Sequence, residues 1–334
     1  MSAAVPRRVL VTGASGMLGA AVADALVAKG HLVRAFQRGP LRAGAAAVEL
    51  VQGSVADPGA VARAVQGMDA VIHLAAKVST TGDWADFEAT NITGTATLLA
   101  AARDAGATDF VFVSSPSVAH FGTSIVGEGA GAADPERAHG HYARSKAAAE
   151  LLALAADSPT FRVAAIRPHV VWGPDDTQLV ERVVERARAG RLPLLNRGSA
   201  LIDTTYVDNA AAAIVRGLER MDQAHGLALV VTNGQPRPVG ELLAGICTAA
   251  GVAPPSFSVP GWLARGGGAV IENVWTAAGR RGWVHDEPPM TRFLAEQLST
   301  AHWFDQRTTH EVLDWRPEVS IEQGLERLAA HYRR

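Results

Sequence analysis

The 334 residues suffice for one large α/β domain or a domain with a smaller lobe, and 48% hydrophobic with 19% charged residues is ordinary for a globular enzyme. A formal net charge of −2 gives no basic footprint for nucleic acid and no attraction to anionic membranes. One cysteine, Cys247, excludes an intrachain disulfide; no Cys/His spacing suits zinc, no apolar run nears the ~20 residues of a membrane span, and residues 1–8 lack the apolar core of a signal peptide, so a metal-free cytoplasmic protein is expected.

Residues 9–11 read as a short apolar strand running into Thr12 and Gly13. Residues 16–29 carry apolar positions at helical spacing and stop at Gly30. A second strand is expected over 31–36. A helix follows over 58–65, with Asp57 as N-cap and Pro58 in its first turn, then a buried strand over 70–74. The Ala- and Leu-rich stretch 93–105 predicts a helix ending at Gly106; a strand over 110–113, a helix over 142–156 and a strand over 163–166 come next. Strands separated by helices predict a parallel sheet covered on both faces, and right-handed crossovers make it a doubly wound Rossmann α/β fold.

After Pro168 the pattern loosens into helices over 178–189, 209–220, 239–250 and 321–331, with one strand over 228–231. The chain therefore divides into a dinucleotide-binding domain, 1–168, and a smaller C-terminal substrate lobe, 169–334, from which about 203–233 returns to the first domain. Residues 261–282 gather Trp262, Leu263, Val270, Ile271, Val274 and Trp275 around glycines, which suits a pocket wall or lid more than a membrane anchor.

The string Thr12-Gly13-Ala14-Ser15-Gly16-Met17-Leu18-Gly19 joins the first strand to the first helix. Glycines there permit a tight turn and close backbone approach to a pyrophosphate, and the helix start supplies N–H donors and a favourable dipole. An acid at the end of the second strand would hold the 2′-hydroxyl of NAD, but the sequence is Phe36-Gln37-Arg38-Gly39. Arg38 can pair with a 2′-phosphate, which favours NADP over NAD; otherwise it is a surface arginine.

Tyr142 and Lys146 stand four apart, on one face of a predicted helix. A neighbouring ammonium is expected to lower the phenol from its usual value near ~10, so that it can exchange a proton with a carbonyl or alcohol oxygen. The strand over 110–113 ends in Ser114-Ser115, where a hydroxyl could hold the substrate oxygen beside Tyr142.

Together with His73-Leu74-Ala75-Ala76, Asn91, Gly94-Thr95, Arg167-Pro168 and Trp172-Gly173-Pro174, these residues resemble the extended short-chain dehydrogenase/reductase superfamily over most of the chain. The resemblance implies a triad of Ser115, Tyr142 and Lys146, with Asn91 behind it helping to hold a proton-relay water. It implies dinucleotide contacts from Gly13, Ser15, Gly16, Met17, Leu18, Gly19, Arg38, Ser54, Val55, Leu74, Ala75, Ala76, Lys77, Tyr142, Lys146, Pro168 and His169. Ser54 replaces the Asp that often follows Gly53 in relatives, and Trp172 a Tyr. It also implies a homodimer through the helices over 93–105 and 142–156, where Leu99 and Leu152 would be interface positions.

Within the superfamily the chain resembles the 3β-hydroxysteroid dehydrogenase-like branch. Inside that branch it is most similar to bacterial reductases of 2-alkyl-3-oxo acids in olefin biosynthesis. The carrying residues are Ala75-Ala76-Lys77, Ser115-Pro116-Ser117-Val118 with His120, Asp203 to Ala210, Glu272 to Trp275, and Thr291 to Leu298 running to His302-Trp303. That resemblance implies a long apolar groove, walled by residues 262–283, for a lipid-like substrate. Lys77, His120, His169 or Arg292 would meet its carboxylate, and other enzymes of the pathway would be possible partners. Other readings are an oxidative sterol 3β-hydroxy dehydrogenase, a nucleotide-sugar epimerase, and a catalytically silent NADP-binding regulator. The last conflicts with the presence of both Tyr142 and Lys146.

Overall fold

The computed structural model describes residues 6–41, 47–79, 82–264, 266–267 and 292–333. At its centre lies a seven-stranded parallel sheet made of β1 (Arg8–Thr12), β2 (Leu32–Gln37), β3 (Val48–Gln52), β4 (Ala70–His73), β5 (Asp109–Val113), β6 (Arg162–Pro168) and β7 (Ala228–Val231). The spatial order is β7-β6-β5-β4-β1-β2-β3. The winding reverses between β1 and β4, which opens a crevice at the carboxyl ends of those strands.

Every residue of β4 and β5 is buried, because helices cover both faces of the sheet. On one face pack α1 (Met17–Ala28) and, from much later in the chain, α5 (Val207–Glu219). On the other pack α2 (Pro58–Val65), α3 (Gly94–Asp104) and α4 (Gly140–Ala155). Asp57 caps α2, its Oδ1 accepting from Gly59 N at 2.9 Å and Ala60 N at 3.2 Å, and Pro58 occupies the first turn, where no N–H is needed.

Two elements escape the sequence pattern. β3 is an edge strand buried on neither side fully, so it lacks the apolar run of its neighbours. Before α3, residues Glu88–Thr93 form a π-helical turn that continues the short helix Trp84–Phe87. Such turns commonly mark functional positions.

The last part of the chain closes over the carboxyl ends of the sheet. His302–Phe304 runs parallel to Ile125–Glu128 and beside Leu201–Ile202, which pairs with Arg237–Pro238. A separate core under this layer includes Trp172, Tyr206, Leu242, Leu243 and Ile246. It is tied down by amides. Asn209 Nδ2 donates to Asn233 Oδ1 (2.9 Å) and to Val319 O (2.7 Å), while Asn209 Oδ1 accepts from Glu318 N and Val319 N, both at 3.0 Å.

Leu99, expected at a subunit interface, is instead 4% exposed inside the chain's own core, because α3 turns it toward the sheet. Of residues 261–282, Trp262 and Leu263 are 67% and 47% exposed, and residues 268–291, including Glu272 to Trp275 and Trp283, lie outside the described residues.

Glu150 on α4 and Arg167 on β6 form a fork-to-fork pair in which each side chain is 1% exposed. Arg167 Nε donates to Glu150 Oε2 at 2.8 Å and Nη2 to Oε1 at 2.5 Å, and Nη1 donates to the carbonyls of Ala130 and Gly131. Removing one partner strands a charge away from water. Glu150→Gln should therefore lower the free energy of unfolding by about 3–5 kcal/mol, read by urea denaturation; a loss under about 1 kcal/mol would show that the pair is not shielded.

Candidate active site

A buried chain of hydrogen bonds assembles the site. Thr12 ends β1 beside His73 at the end of β4. Thr12 Oγ1 accepts from Leu74 N (3.1 Å) and Ala75 N (3.0 Å), so its one proton goes to His73 Nδ1, 2.7 Å away. His73 is thereby fixed as the Nε2–H tautomer, which donates to Thr95 Oγ1 at 3.0 Å. Thr95 Oγ1 donates in turn to Asn91 O at 2.6 Å. Burial pushes the His73 imidazole down to about 3, so it stays neutral at physiological pH.

Asn91 sits in the π-helical turn and uses its whole amide. Oδ1 accepts from Lys77 N at 2.7 Å; Nδ2 donates to Lys77 O at 3.2 Å and to Ser145 Oγ at 2.9 Å. Ser145 also donates to Tyr142 O at 2.9 Å, so Asn91 joins the loop after β4 to the helix that carries Tyr142.

The cofactor loop fits a dinucleotide. Gly13 has φ +73°, and a Cβ there would meet Ala75 N at 2.9 Å. Among the described residues a Cβ at Gly16 would meet only Gly13 O within 4 Å, at 3.6 Å. Among the described residues no side chain caps α1, so its first N–H groups suit an anionic ligand. Beside it Ser114 Oγ is buried with no protein partner among the described residues.

A cavity of about 600 Å³ runs from this loop into the lobe. Of the expected residues, Gly13, Gly16, Met17, Leu18, Gly19, Leu74, Ala76, Ser115, Tyr142, Lys146, Pro168 and His169 line it. Ser15 and Arg38 are exposed outside its wall, Arg38 just past β2. Ser54 Oγ accepts from Ala56 N at 3.2 Å, and Val55 is buried against Gly94. Lys77 Nζ pairs with Asp86 Oδ2 at 2.5 Å, and the Arg292 side chain lies outside the described residues.

Ser115 contacts the Tyr142 phenol by a side-chain hydrogen bond, and Ser117 Oγ donates to Ser115 Oγ at 3.0 Å. The phenol is not lowered, as the Tyr/Lys spacing led one to expect. Burial pushes it up to about 12, with the Ser115 bond offsetting part of the rise. Lys146 is itself pushed down to about 7 by burial; its ammonium donates to Val113 O at 2.7 Å and lies 4.0 Å from the Phe112 ring centre. A phenol that keeps its proton at neutral pH is suited to giving it to a carbonyl oxygen.

Sequence reasoning passed over two features of the far wall. Val170 has φ +42°, an outlier for a β-branched residue, at the turn that presents His169. Thr205 holds that turn, its Oγ1 donating to His169 O at 2.8 Å and its N to Val170 O at 3.2 Å. His302 also joins the wall, beside His120, His169 and Gln297. Only its place in the late His302-Trp303 segment signalled it. Among the described residues no group of three or more His, Cys, Asp or Glu side chains could hold a metal ion.

A doubly wound sheet, a glycine cradle and a Tyr/Lys pair in one cavity define a dinucleotide-dependent enzyme. The sequence comparison agrees: residues 9–231 match the NAD dependent epimerase/dehydratase family, so the chain belongs to that family, within the short-chain dehydrogenases/reductases, and is an NAD(P)-dependent oxidoreductase. More particularly, it is 41% identical over 330 residues to the 2-alkyl-3-oxoalkanoate reductase of Stenotrophomonas maltophilia, covering 97% of this chain and 98% of that one. It is 37% identical to the protein of the same name from Shewanella oneidensis, covering 96% and 85%. The structure of MoeE5 in complex with UDP-glucose and NAD shares the fold, with a TM-score of 0.74 at 22% identity over 98% of both chains.

The site makes stability depend on pH. His73, His169 and His302 are held down to about 3, 4 and 2 by burial, whereas the unfolded chain protonates them near ~6.5. Below that pH the unfolded state binds protons the fold refuses, so stability falls as pH drops, by up to about 1.4 kcal/mol per pH unit for each histidine. Asp203, raised to about 6 by burial, works the other way between pH 6 and its ordinary value. Three histidines less one aspartate, with the lowered His120 and the raised Asp176 opposing each other, predict a net uptake of about two protons on unfolding between pH 6 and 4. Urea unfolding at a series of pH values reads that slope, and a flat profile across this interval would contradict it.

Proposed function

We propose that this chain uses NADPH to reduce the 3-keto group of a long-chain 2-alkyl-3-oxoalkanoic acid, giving the 2-alkyl-3-hydroxyalkanoic acid of bacterial head-to-head olefin biosynthesis. The observation that carries this reading is the likeness, end to end, to two bacterial reductases named for that substrate. The cavity agrees with a lipid-like ligand, since Ile125, Ile202, Val239, Leu242, Leu243 and Leu298 line its lobe side.

The bound dinucleotide supplies the hydride. Ser115 Oγ holds the keto oxygen, and Tyr142 Oη gives that oxygen its proton as charge builds on it. Lys146, pinned to the Val113 carbonyl, provides a positive charge at the same end of the cavity. Arg38 meets the 2′-phosphate that distinguishes NADPH from NADH. Asn91 keeps α4 in register through Ser145 and acts as a positioning residue.

The protein acts as a homodimer through α3 and α4. Their Ala100, Leu151 and Ala155 are exposed in the single chain, and small side chains allow close approach of paired helices. Light scattering should give twice the chain mass, and Ala100→Arg with Leu151→Arg should return it to the single mass. A single-chain mass for the unaltered protein would end this assignment.

The activity is tested by following NADPH absorbance with 2-alkyl-3-oxo acids, 3β-hydroxysteroids with NAD, and UDP-glucose epimerisation in parallel. Turnover is expected on the oxo acids alone. Tyr142→Phe should cut kcat by about 100-fold or more with dinucleotide binding retained. Arg38→Ala should raise the KM for NADPH by about tenfold and leave that for NADH unchanged. Turnover confined to the steroid or the sugar nucleotide would overturn the reading.

A further inference from the structure

Resting on the proposed oxo-acid substrate, we infer that the His120–His302 pair is the anchor for the substrate carboxylate and takes up one proton as that carboxylate binds. A 3-oxo acid carries its anion only two carbons from the carbon that receives hydride. The anion must therefore lie next to Ser115 and Tyr142. Among the described residues lining the cavity, Lys146 is the only lysine or arginine, and one of its three N–H donors holds it to the Val113 carbonyl at the Tyr142 end. The remaining cavity-lining groups that can gain positive charge are His120, His169 and His302.

His120 follows the single 3-10 turn Pro116–Ala119 that starts at Ser115, which keeps it near the reacting oxygen. His120 Nε2 and His302 Nε2 lie 2.9 Å apart, so one proton is shared between them. Thr300 Oγ1 spends its proton on Glu296 O at 2.6 Å, and so accepts from His302 Nε2 at 2.8 Å. His120 Nδ1 lies 3.2 Å from the Gln297 side-chain amide, which accepts from Nδ1–H when its oxygen is turned to the ring. Because the Thr300 proton is spent on Glu296 O, the shared proton lies on His302 Nε2, which leaves His302 Nδ1 a bare acceptor. That atom is buried with no protein partner among the described residues, and His302 is 1% exposed. An added proton on Nδ1 turns an unmet acceptor into a cationic donor, the chemistry a carboxylate requires.

The surroundings let the pair change charge. Facing it are the Glu296 carboxylate, which favours the charged form of His120, and His139, which bonds Glu296 at 2.9 Å and opposes it. His169 lies 5.7 Å from His302 ring to ring and donates from Nδ1 to Asp203 O at 2.6 Å. The Asp203 carboxyl is turned to Thr232, Gly234 and Gln235, Arg167 is committed to Glu150, and Glu128 is exposed at the far end of the neighbouring strand. Among the described residues, Tyr142, Lys146 and the carboxyls of Asp175 and Asp176 are the other titratable groups lining the cavity. Burial holds His120, His169 and His302 neutral without ligand, so an incoming anion must bring its proton with it.

The test compares a 2-alkyl-3-oxo acid with its methyl ester, and measures binding of the stable 3-hydroxy acid to the NADP-loaded enzyme by calorimetry in buffers of different ionisation enthalpy. The wild type should take up about one proton per acid bound and none for the hydroxy ester. KM for the acid should climb as pH rises, while that for the ester stays level. His302→Asn and, separately, His120→Asn should raise KM for the acid about tenfold or more, with kcat and both ester constants little changed. Equal losses on acid and ester, or binding without proton uptake, would overturn the anchor. The wild-type calorimetry decides even if neither variant folds. Failure of the anchor alone leaves turnover of both acid and ester, whereas failure of the proposed function abolishes both.

Discussion

The site depends on a buried sequence of hydrogen bonds with one allowed direction: from the amides of Leu74 and Ala75 into Thr12, then His73, Thr95 and the Asn91 carbonyl. Each hydroxyl has a single proton, so reversing one bond would orphan a buried group elsewhere, at a cost on the order of 1–3 kcal/mol. This is why a buried histidine ends β4, beside Thr12 at the end of β1. It alone among neutral side chains offers a donor and an acceptor on opposite sides of a rigid ring. Through it the glycine loop after β1, the loop after β4 and the helix bearing Tyr142 become one rigid unit.

On that frame burial sets the character of the chemistry. Burial raises Tyr142 and lowers Lys146, so the phenol holds its proton more tightly than in water and a permanent cation becomes a titratable one. The phenol is therefore protonated at rest, ready to meet charge that builds on an oxygen bound beside it. The same burial penalises charge on the lobe side, where His120, His169 and His302 are kept neutral.

Much of this was legible in the sequence because it is written in local patterns. Strands buried on both faces show as apolar runs, Asp57-Pro58 marks the start of α2, and the Gly13 to Gly19 string announces the nucleotide loop. What escaped depends on contacts distant in sequence. Edge strand β3 has no continuous apolar face; the direction of the Tyr142 shift follows from enclosure rather than spacing; and Leu99 looks like an interface residue until the sheet beneath it is known. His302 reaches the cavity only because its strand runs beside Ile125–Glu128, some 177 positions earlier (His302 paired with Ile125), and nothing local encodes that meeting.

The π-helical turn at Glu88–Thr93 bears on how this chain can vary over evolutionary time. Such a turn holds one residue more than the α-helical turn it replaces. Losing a residue there would let the helix run on regularly with its backbone bonds intact, yet everything on one side of the cut would swing by about 100° relative to the other. Asn91 would then leave Lys77 and Ser145. The segment can thus accept many exchanges of side chain but not a change in its count of residues, so a gap in this stretch would separate descendants that keep the chemistry from those that keep only the fold.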